Sequence, residues 1–396
     1  MTRKNIITAQ YMNQFQCLGD TCEDTCCQGW YVDIDKKTFV KYHKITDKKV
    51  KKKLQNHVKR NKMKTTFTDY ATIKFPKGGF CPFLNGNKLC SIQLELGSSY
   101  LSRTCATYPR QYNQVFEQFE LTGTCSCPEV ARLVLLNRDA FAMQESEEKI
   151  SADPVIDHLL EEEELRPLFE HVRQFVLNLL TYRSITLEER LLVLGTFLHE
   201  LDYEDPAHVM ERMEAYEARL SNGQLAELYA DLPVEPEVQF AFLRQNIETH
   251  VQHSITNERY LDLFRQCRLG WETEERYQEA YQRWYVPFFQ EHAYILENYL
   301  INYCIGQLFP FSSMYKEQTP FEDWLILSLH FILIKHHLIS LSYATQGLTP
   351  ELCVHMIQSF SRTYEHDVTY FENELKHLYL DELATLPFLS ILLRTS

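Results

Sequence analysis

The stretch CLGDTCEDTCCQGW, which begins at Cys17, sets four thiols close together: Cys17, Cys22, Cys26 and Cys27. Five more follow at Cys81, Cys90, Cys105, Cys125 and Cys127, so nine of the 12 cysteines lie before residue 128. Thiolates are soft ligands that suit zinc and iron–sulfur clusters, and four of them complete a centre of either kind. A disulfide framework is the competing chemistry, but it belongs to small secreted domains, and an odd count leaves one thiol over. Spacing of the form C-x4-C-x3-C-C lets one loop present several sulfurs to one centre. Adjacent Cys26 and Cys27 point in different directions in most backbones, so they suit different centres. The C-x3-C-x2-C spacing of radical enzymes is not met, because Gly29 stands where the third thiol would be. The remaining Cys267, Cys304 and Cys353 sit singly in helical patterns, as small apolar core residues do.

The elements that must carry these thiols belong to a chain of 396 residues, 45% apolar, 13% aromatic and 24% charged. That composition builds a sizeable folded core, and the length suggests two or three domains. A net charge of −14 argues against nucleic acid as a partner, since phosphate binding needs clustered cations. Glycine is scarce, and neither a G-x-G-x-x-G nor a G-x-x-x-x-G-K-[ST] loop occurs, so the usual nucleotide-cradling signatures are missing. The first residues carry no apolar run of export-signal length, which gives the expectation of a cytoplasmic protein. The run WLILSLHFILIKHHLISLS from Trp324 is long enough to cross a bilayer, yet it contains His330, Lys335, His336 and His337. Charge at mid-bilayer is costly, so a buried helix and no membrane are expected, with His336 and His337 as hydrogen-bonded core residues or, alternatively, ligands.

Strand-like alternation occurs at WYVDID, Trp30 to Asp35, and less cleanly at FTDYATIKF, Phe67 to Phe75. Between them, Lys36 to Lys64 carries 13 Lys and Arg against one acid, Asp47: a solvated helix face or a docking surface for an acidic partner. Beyond residue 130 the patterns are helical and strand patterns are not evident. Thr186 and Glu189 form a capping-box signature. Asp205 is a candidate N-cap, a further helical segment runs from Asn257, Gly223 and Gly270 are candidate stops, and Pro287 is a candidate break or kink. The expected architecture is mainly α: a small, cysteine-rich, metal-nucleated α+β head over residues 1–140, followed by a helical body over residues 141–396.

Four segments together, YMNQFQCLGDTCEDTCCQGWYVDIDKKTF, CPFLNGNKLCSIQLELGSSYLSRTCATYPR, SCPEVARLVLL and ENYLINYCIGQLFPF, resemble the flagellin lysine-N-methylases, whose N-terminal part is similar to the larger CxxCxxCC group of zinc- or iron-chelating proteins. The likeness covers most of the chain and is most specific over residues 11–136. It places the family's cysteine pattern on Cys17, Cys22, Cys26, Cys27, Cys81, Cys90, Cys105 and Cys127, with Cys125 left over. It implies methyl transfer from S-adenosylmethionine to lysine side chains of flagellin, with a 4Fe-4S cluster or zinc on those thiols.

Such a transfer needs a neutral amine, whereas free lysine has a pKa of ~10.4. An apolar, aromatic cleft with a base would desolvate the ammonium and align the reactants. In ENYLINYCIGQLFPF, Asn298, Tyr299, Asn302 and Tyr303 share a helical face. That gives Tyr299, Tyr303 and Glu297 as candidate catalytic residues and Asn298 and Asn302 as candidate cofactor contacts, or else ordinary core tyrosines and a surface acid. Arg103, Tyr108 and Arg110 are further cofactor candidates, able to hold a carboxylate or to hydrogen-bond thiolates. The metal is structural, or an open iron site holds the amino-acid end of the methyl donor. The competing functions are a non-catalytic iron–sulfur or zinc protein that binds flagellin or carries metal, and a radical or redox enzyme.

Overall fold

Helix ends here are set by short polar side chains. Thr186 and Thr319 each close a reciprocal capping box, with Glu189 and Glu322, satisfying two backbone donors apiece. Asp205 caps the Pro206–Ser221 helix and Asn257 caps Glu258–Gly270; Gly223 takes a positive φ of 78° just past the former. The computed structural model describes residues 3–28, 32–62, 66–76, 79–138, 140–149, 155–160, 163, 166–202, 205–224, 232–253, 257–311 and 319–394. The protein is mainly helical, as expected.

The long apolar run forms one 26-residue helix, Pro320–Thr345, and its most apolar window is wholly buried inside the protein. The Glu258–Gly270 and Leu187–Glu200 helices pack against it. Its polar residues are accounted for individually. Lys335 donates to Glu188 Oε1 at 2.6 Å and to the Leu393 carbonyl at 3.1 Å. His337 bonds Tyr260 and the Leu333 carbonyl, both at 2.7 Å. His336 departs from the hydrogen-bonded expectation: neither ring nitrogen has a partner, and the ring stacks on Trp271 at 5.3 Å. Helix contact is closest at Gly270, where an added Cβ would lie 2.2 Å from the Ser340 carbonyl oxygen. Because that obstacle is backbone, Gly270→Ala is expected to cost ~1–3 kcal/mol by overpacking, read as a lowered thermal midpoint.

Pro287 does not break its helix. Tyr281–Tyr285 winds as a π turn immediately before Val286–His292, which holds Pro287 in its first turn. The wider turn accommodates a residue that cannot donate a backbone bond.

Both expected strands are present in shorter form, with Trp30 and Tyr31 of the first lying outside the described residues. β2 (Val32–Ile34) pairs antiparallel with β4 (Ala71–Ile73), and β3 (Val58–Arg60) adds to β4. With Tyr42, Leu54, Phe83 and Ile92 they bury a small apolar core of their own, so an ordinary hydrophobic cluster underlies the head. A second sheet was not anticipated. It runs β7–β1–β6–β5–β8, from β1 (Arg3–Ala9), β5 (Arg110–Val115), β6 (Gln118–Gly123), β7 (Met143–Lys149) and β8 (Ile156–Leu160). β1 is parallel to β6 and antiparallel to β7. β7 reads MQESEEK, a polar segment whose strand geometry comes from pairing with β1 rather than from alternation. Ile6, Phe119 and Leu121 of this sheet belong to the same core as Phe197, Trp324 and Leu338 of the helices.

Candidate functional site

The thiols meet in neighbourhoods. The Cys81 amide donates to the Cys27 carbonyl at 2.7 Å, which sets the two side chains together. The thiol of Cys27 hydrogen-bonds Cys81 and holds it below the ordinary thiol value. Cys26 interacts with Cys27, and Cys90 and Cys105 are close enough to act electrostatically on Cys81. Cys22 donates to the Asp24 carbonyl at 3.3 Å and, with Cys26, faces Cys127. Burial pushes the Cys127 thiol up to about 12. Cys17 is exposed and Cys125 buried. Soft donors therefore gather as zinc or iron–sulfur chemistry would want, but among the described residues no three or more His, Cys, Asp or Glu form a metal-binding set. The donor types suit a metal centre; their arrangement here does not complete one.

A polar network ties the thiol loop to the helical body. Asp24 is buried and forms an ion pair with Arg362. It also accepts from Gln358 Nε2 at 2.8 Å. Gln358 donates in turn to the Ser126 carbonyl at 2.9 Å, and its Oε1 accepts from Arg259 Nε at 3.2 Å. Arg362 donates to the Gln28 carbonyl at 2.9 Å. The Ser126 hydroxyl contacts His366 Nε2 at 2.9 Å and the Tyr108 hydroxyl at 3.2 Å. The helical side of this network is the end of the Pro350–Phe360 helix and the π turn Ser361–Glu365. A π turn in a helix frequently marks a functional site, because its extra residue re-aims the side chains.

Glu365 closes that π turn. The Tyr299 hydroxyl donates to its Oε1 at 2.7 Å and meets His330 Nδ1 at 2.8 Å. Tyr303 lies edge-on to the His330 ring at 4.7 Å. Desolvation raises the Glu365 carboxyl above its usual value and lowers His330 to about 3. Tyr299 and His330 are fully enclosed, whereas Glu365 is only half-buried. The three groups form a short hydrogen-bonded chain, Glu365–Tyr299–His330.

The other expected site residues lie differently. Glu297 is 3% exposed and is held by Arg183 at 2.7 Å and Arg190 at 2.8 Å. Two guanidiniums commit its lone pairs, so it is a structural anion in this arrangement. Asn298 donates to the Val134 and Asn137 carbonyls, both at 2.8 Å, and Asn302 to the Gly123 carbonyl at 2.9 Å. These amides clamp the Tyr294–Gly306 helix to neighbouring backbone. Tyr108 reaches the network through Ser126, and Arg110 lies over the Phe15 ring at 5.2 Å. Arg103 opens the Arg103–Thr107 helix, next to Cys105.

Beside the network is a cleft of about 220 Å³ lined by Glu23, Arg132, Arg259, Glu351, His355 and Gln358. Val354 and Leu136 supply an apolar wall. Arg132 is paired with Glu23 and Glu129. Glu365, Arg362, Gln358 and Arg259 carry no local motif in the sequence, and their partners lie 66 to 338 residues away.

The head also presents its lysines. Among the described residues no lysine between 36 and 62 is in an ion pair. Lys36 and Arg60 lie over Tyr70, and Lys53 over Phe83.

Residues 173–392 match the model of the FliB lysine N-methylase C-terminal domain. A lysine-N-methylase of Salmonella typhimurium is 27% identical over 243 residues, covering 59% of this chain and 58% of the relative. The enzyme of that name from Salmonella choleraesuis matches to the same extent. The flagellar biosynthetic protein FliU of Salmonella muenchen is 32% identical over 136 residues, 34% of this chain and 79% of FliU. The chain thus spans 58% of the length of the two lysine-N-methylases. No solved structure matches.

Proposed function

Because the chain belongs to the FliB lysine N-methylase family, we propose that it methylates lysine side chains of flagellin, in the cytoplasm, with S-adenosylmethionine as donor. The observation that carries this reading beyond the family match is Glu365: a half-buried residue whose carboxyl is raised by desolvation and hydrogen-bonded to Tyr299. A base of that kind is what an ammonium substrate needs, because proton transfer is efficient when the acceptor titrates nearer the working pH.

Glu365 takes the proton of the lysine ammonium, and Tyr299 with His330 holds the carboxylate in place. The amine lone pair then forms the new C–N bond as the C–S bond breaks, and the bonding pair leaves on sulfur, giving S-adenosylhomocysteine. Tyr303 and the aromatic groups around His330 keep the amine desolvated and attract its positive form.

Zinc or a 4Fe-4S centre on Cys17, Cys22, Cys26, Cys27, Cys81, Cys90, Cys105 and Cys127 belongs to the same proposal, supported by the chemistry of the donors alone. An amine is already a nucleophile, so no step above is routed through a metal. Metal analysis and a visible-range absorption scan of protein purified without oxygen distinguish the two, since zinc is colourless.

The direct test is incubation of purified protein and flagellin with isotopically labelled methyl donor. Label appearing on lysine, with mass increments of one methyl, supports the reading. Flagellin binding with no label would replace it with the non-catalytic alternative, and 5′-deoxyadenosine among the products with a radical enzyme.

A further inference from the structure

The cleft beside the thiol loop is the part of this site with no role so far. Its lining carries both signs, Arg132 and Arg259 against Glu23 and Glu351. Arg132 is neutralised by Glu23 and Glu129, and Arg362 by Asp24. Arg259 is different. Its Nε is engaged by Gln358 at 3.2 Å, and among the described residues no carboxylate lies within ion-pair distance of its guanidinium. Asp24 and Glu23 act on it only through space, so its fixed fork of donors keeps room for a contacting carboxylate.

His355, from the Pro350–Phe360 helix packed beside the one that carries Arg259, adds a polar atom without a partner. Its Nε2 is shielded from solvent and has no hydrogen bond. Glu351, in the first turn of the same helix, is exposed and unpaired. The cleft therefore offers a place for an anion and a place for a cation, with Val354 and Leu136 between for methylene groups. That pattern matches a free α-amino acid. It does not match a lysine within a protein chain, which has no free carboxylate and would bring a second cation to Arg259.

Size narrows the choice further. A volume of about 220 Å³ falls below the roughly 300–1,000 Å³ of a site that encloses a whole drug-sized ligand. One end of a larger molecule fits.

We propose that this cleft takes the amino-acid end of S-adenosylmethionine, the carboxylate on Arg259 and His355 and the ammonium on Glu351. This rests on the methyl-donor reading and goes beyond it by fixing which end of the donor binds where. Gln358 joins Arg259 to Asp24, so the seated amino-acid end is coupled to the loop that carries Cys22 and Cys26. The nucleoside end lies outside the cleft.

Calorimetric titration of the full chain with two probes tests the assignment. S-adenosylhomocysteine carries the amino-acid end; 5′-methylthioadenosine has the same nucleoside without it. Arg259→Leu is expected to weaken S-adenosylhomocysteine by about 10- to 100-fold, as loss of charge-assisted hydrogen bonds does, and to leave 5′-methylthioadenosine unchanged. Glu351→Gln, at an exposed position that the fold does not depend on, is expected to weaken only the former, by a smaller factor. Equal weakening of both probes, or none in either variant, overturns the cleft assignment while the methyl-donor reading stands. Wild-type protein that binds neither probe overturns both.

Discussion

Glu365→Gln is expected to lower the rate of methyl transfer at neutral pH by about 100-fold or more, the usual contribution of a positioned proton acceptor. Glutamine has the same shape, and its carbonyl oxygen can still accept from the Tyr299 hydroxyl, so the chain Glu365–Tyr299–His330 keeps its packing and loses only the ability to take a proton. The deficit should shrink as pH climbs toward the ~10.4 of free lysine, where the substrate amine is already neutral. A merely structural defect would not be repaired by base. The sign of the stability effect follows from the same group. Its carboxyl is raised in the folded protein, so the folded state holds that proton more tightly than the unfolded chain does. Its stabilising contribution is full below the unfolded value and is lost as pH rises through the folded one. Glu365→Gln removes that dependence, and the variant's thermal midpoint should fall less than the wild type's as pH rises through that interval. Undiminished turnover at neutral pH would assign the base elsewhere.

Glu297→Ala should be the more damaging change to the fold, by ~3–5 kcal/mol, because it leaves a buried guanidinium with no anion. Arg190 is the reason: its side chain is 6% exposed, and it cannot recover water when Glu297 is removed. Its remaining bonds to the Leu180 and Ile185 carbonyls, at 2.7 and 3.1 Å, satisfy donors without supplying charge. Arg183 behaves differently, since 61% of its side chain is exposed. Arg183→Ala should cost no more than ~1 kcal/mol. Denaturant midpoints of the two variants, compared at equal slope, measure the difference. Similar losses for both would show that the pair at Arg190 is better hydrated than its burial implies.

Local signals in the sequence were read correctly where the chemistry is local. Thr186 and Asp205 cap helices because each side chain reaches a backbone donor two or three residues on. β2 and β4 alternate because each has one face on a small core. The larger sheet was illegible for the opposite reason. β7 has few apolar residues, and its place is fixed by β1, some 140 residues earlier in the chain. The site divides along the same line. Tyr299 and Tyr303 could be set on one helix by spacing alone. Asn298 and Asn302 share that face, yet meet backbone carbonyls that spacing cannot foresee. Glu297 looked like a surface acid or a base until Arg190, on another helix, was brought against it. Glu365 and Arg259 gain their significance from the π turn and from Gln358, neither of which leaves a mark in residue type.

The central helix Pro320–Thr345 has a consequence for how the chain is made. It is translated after the Leu187–Glu200 helix, whose Leu191 carbonyl accepts from Trp324 across 133 residues of sequence, and helices synthesised before it pack on its surface. Until it leaves the ribosome the faces they turn toward it stay uncovered, and contacts of such long sequence separation form slowly. When it does emerge, it has the length and hydropathy of a bilayer-spanning segment. Nascent protein of this kind calls for a chaperone that shields apolar surface, and refolding from denaturant will compete with aggregation.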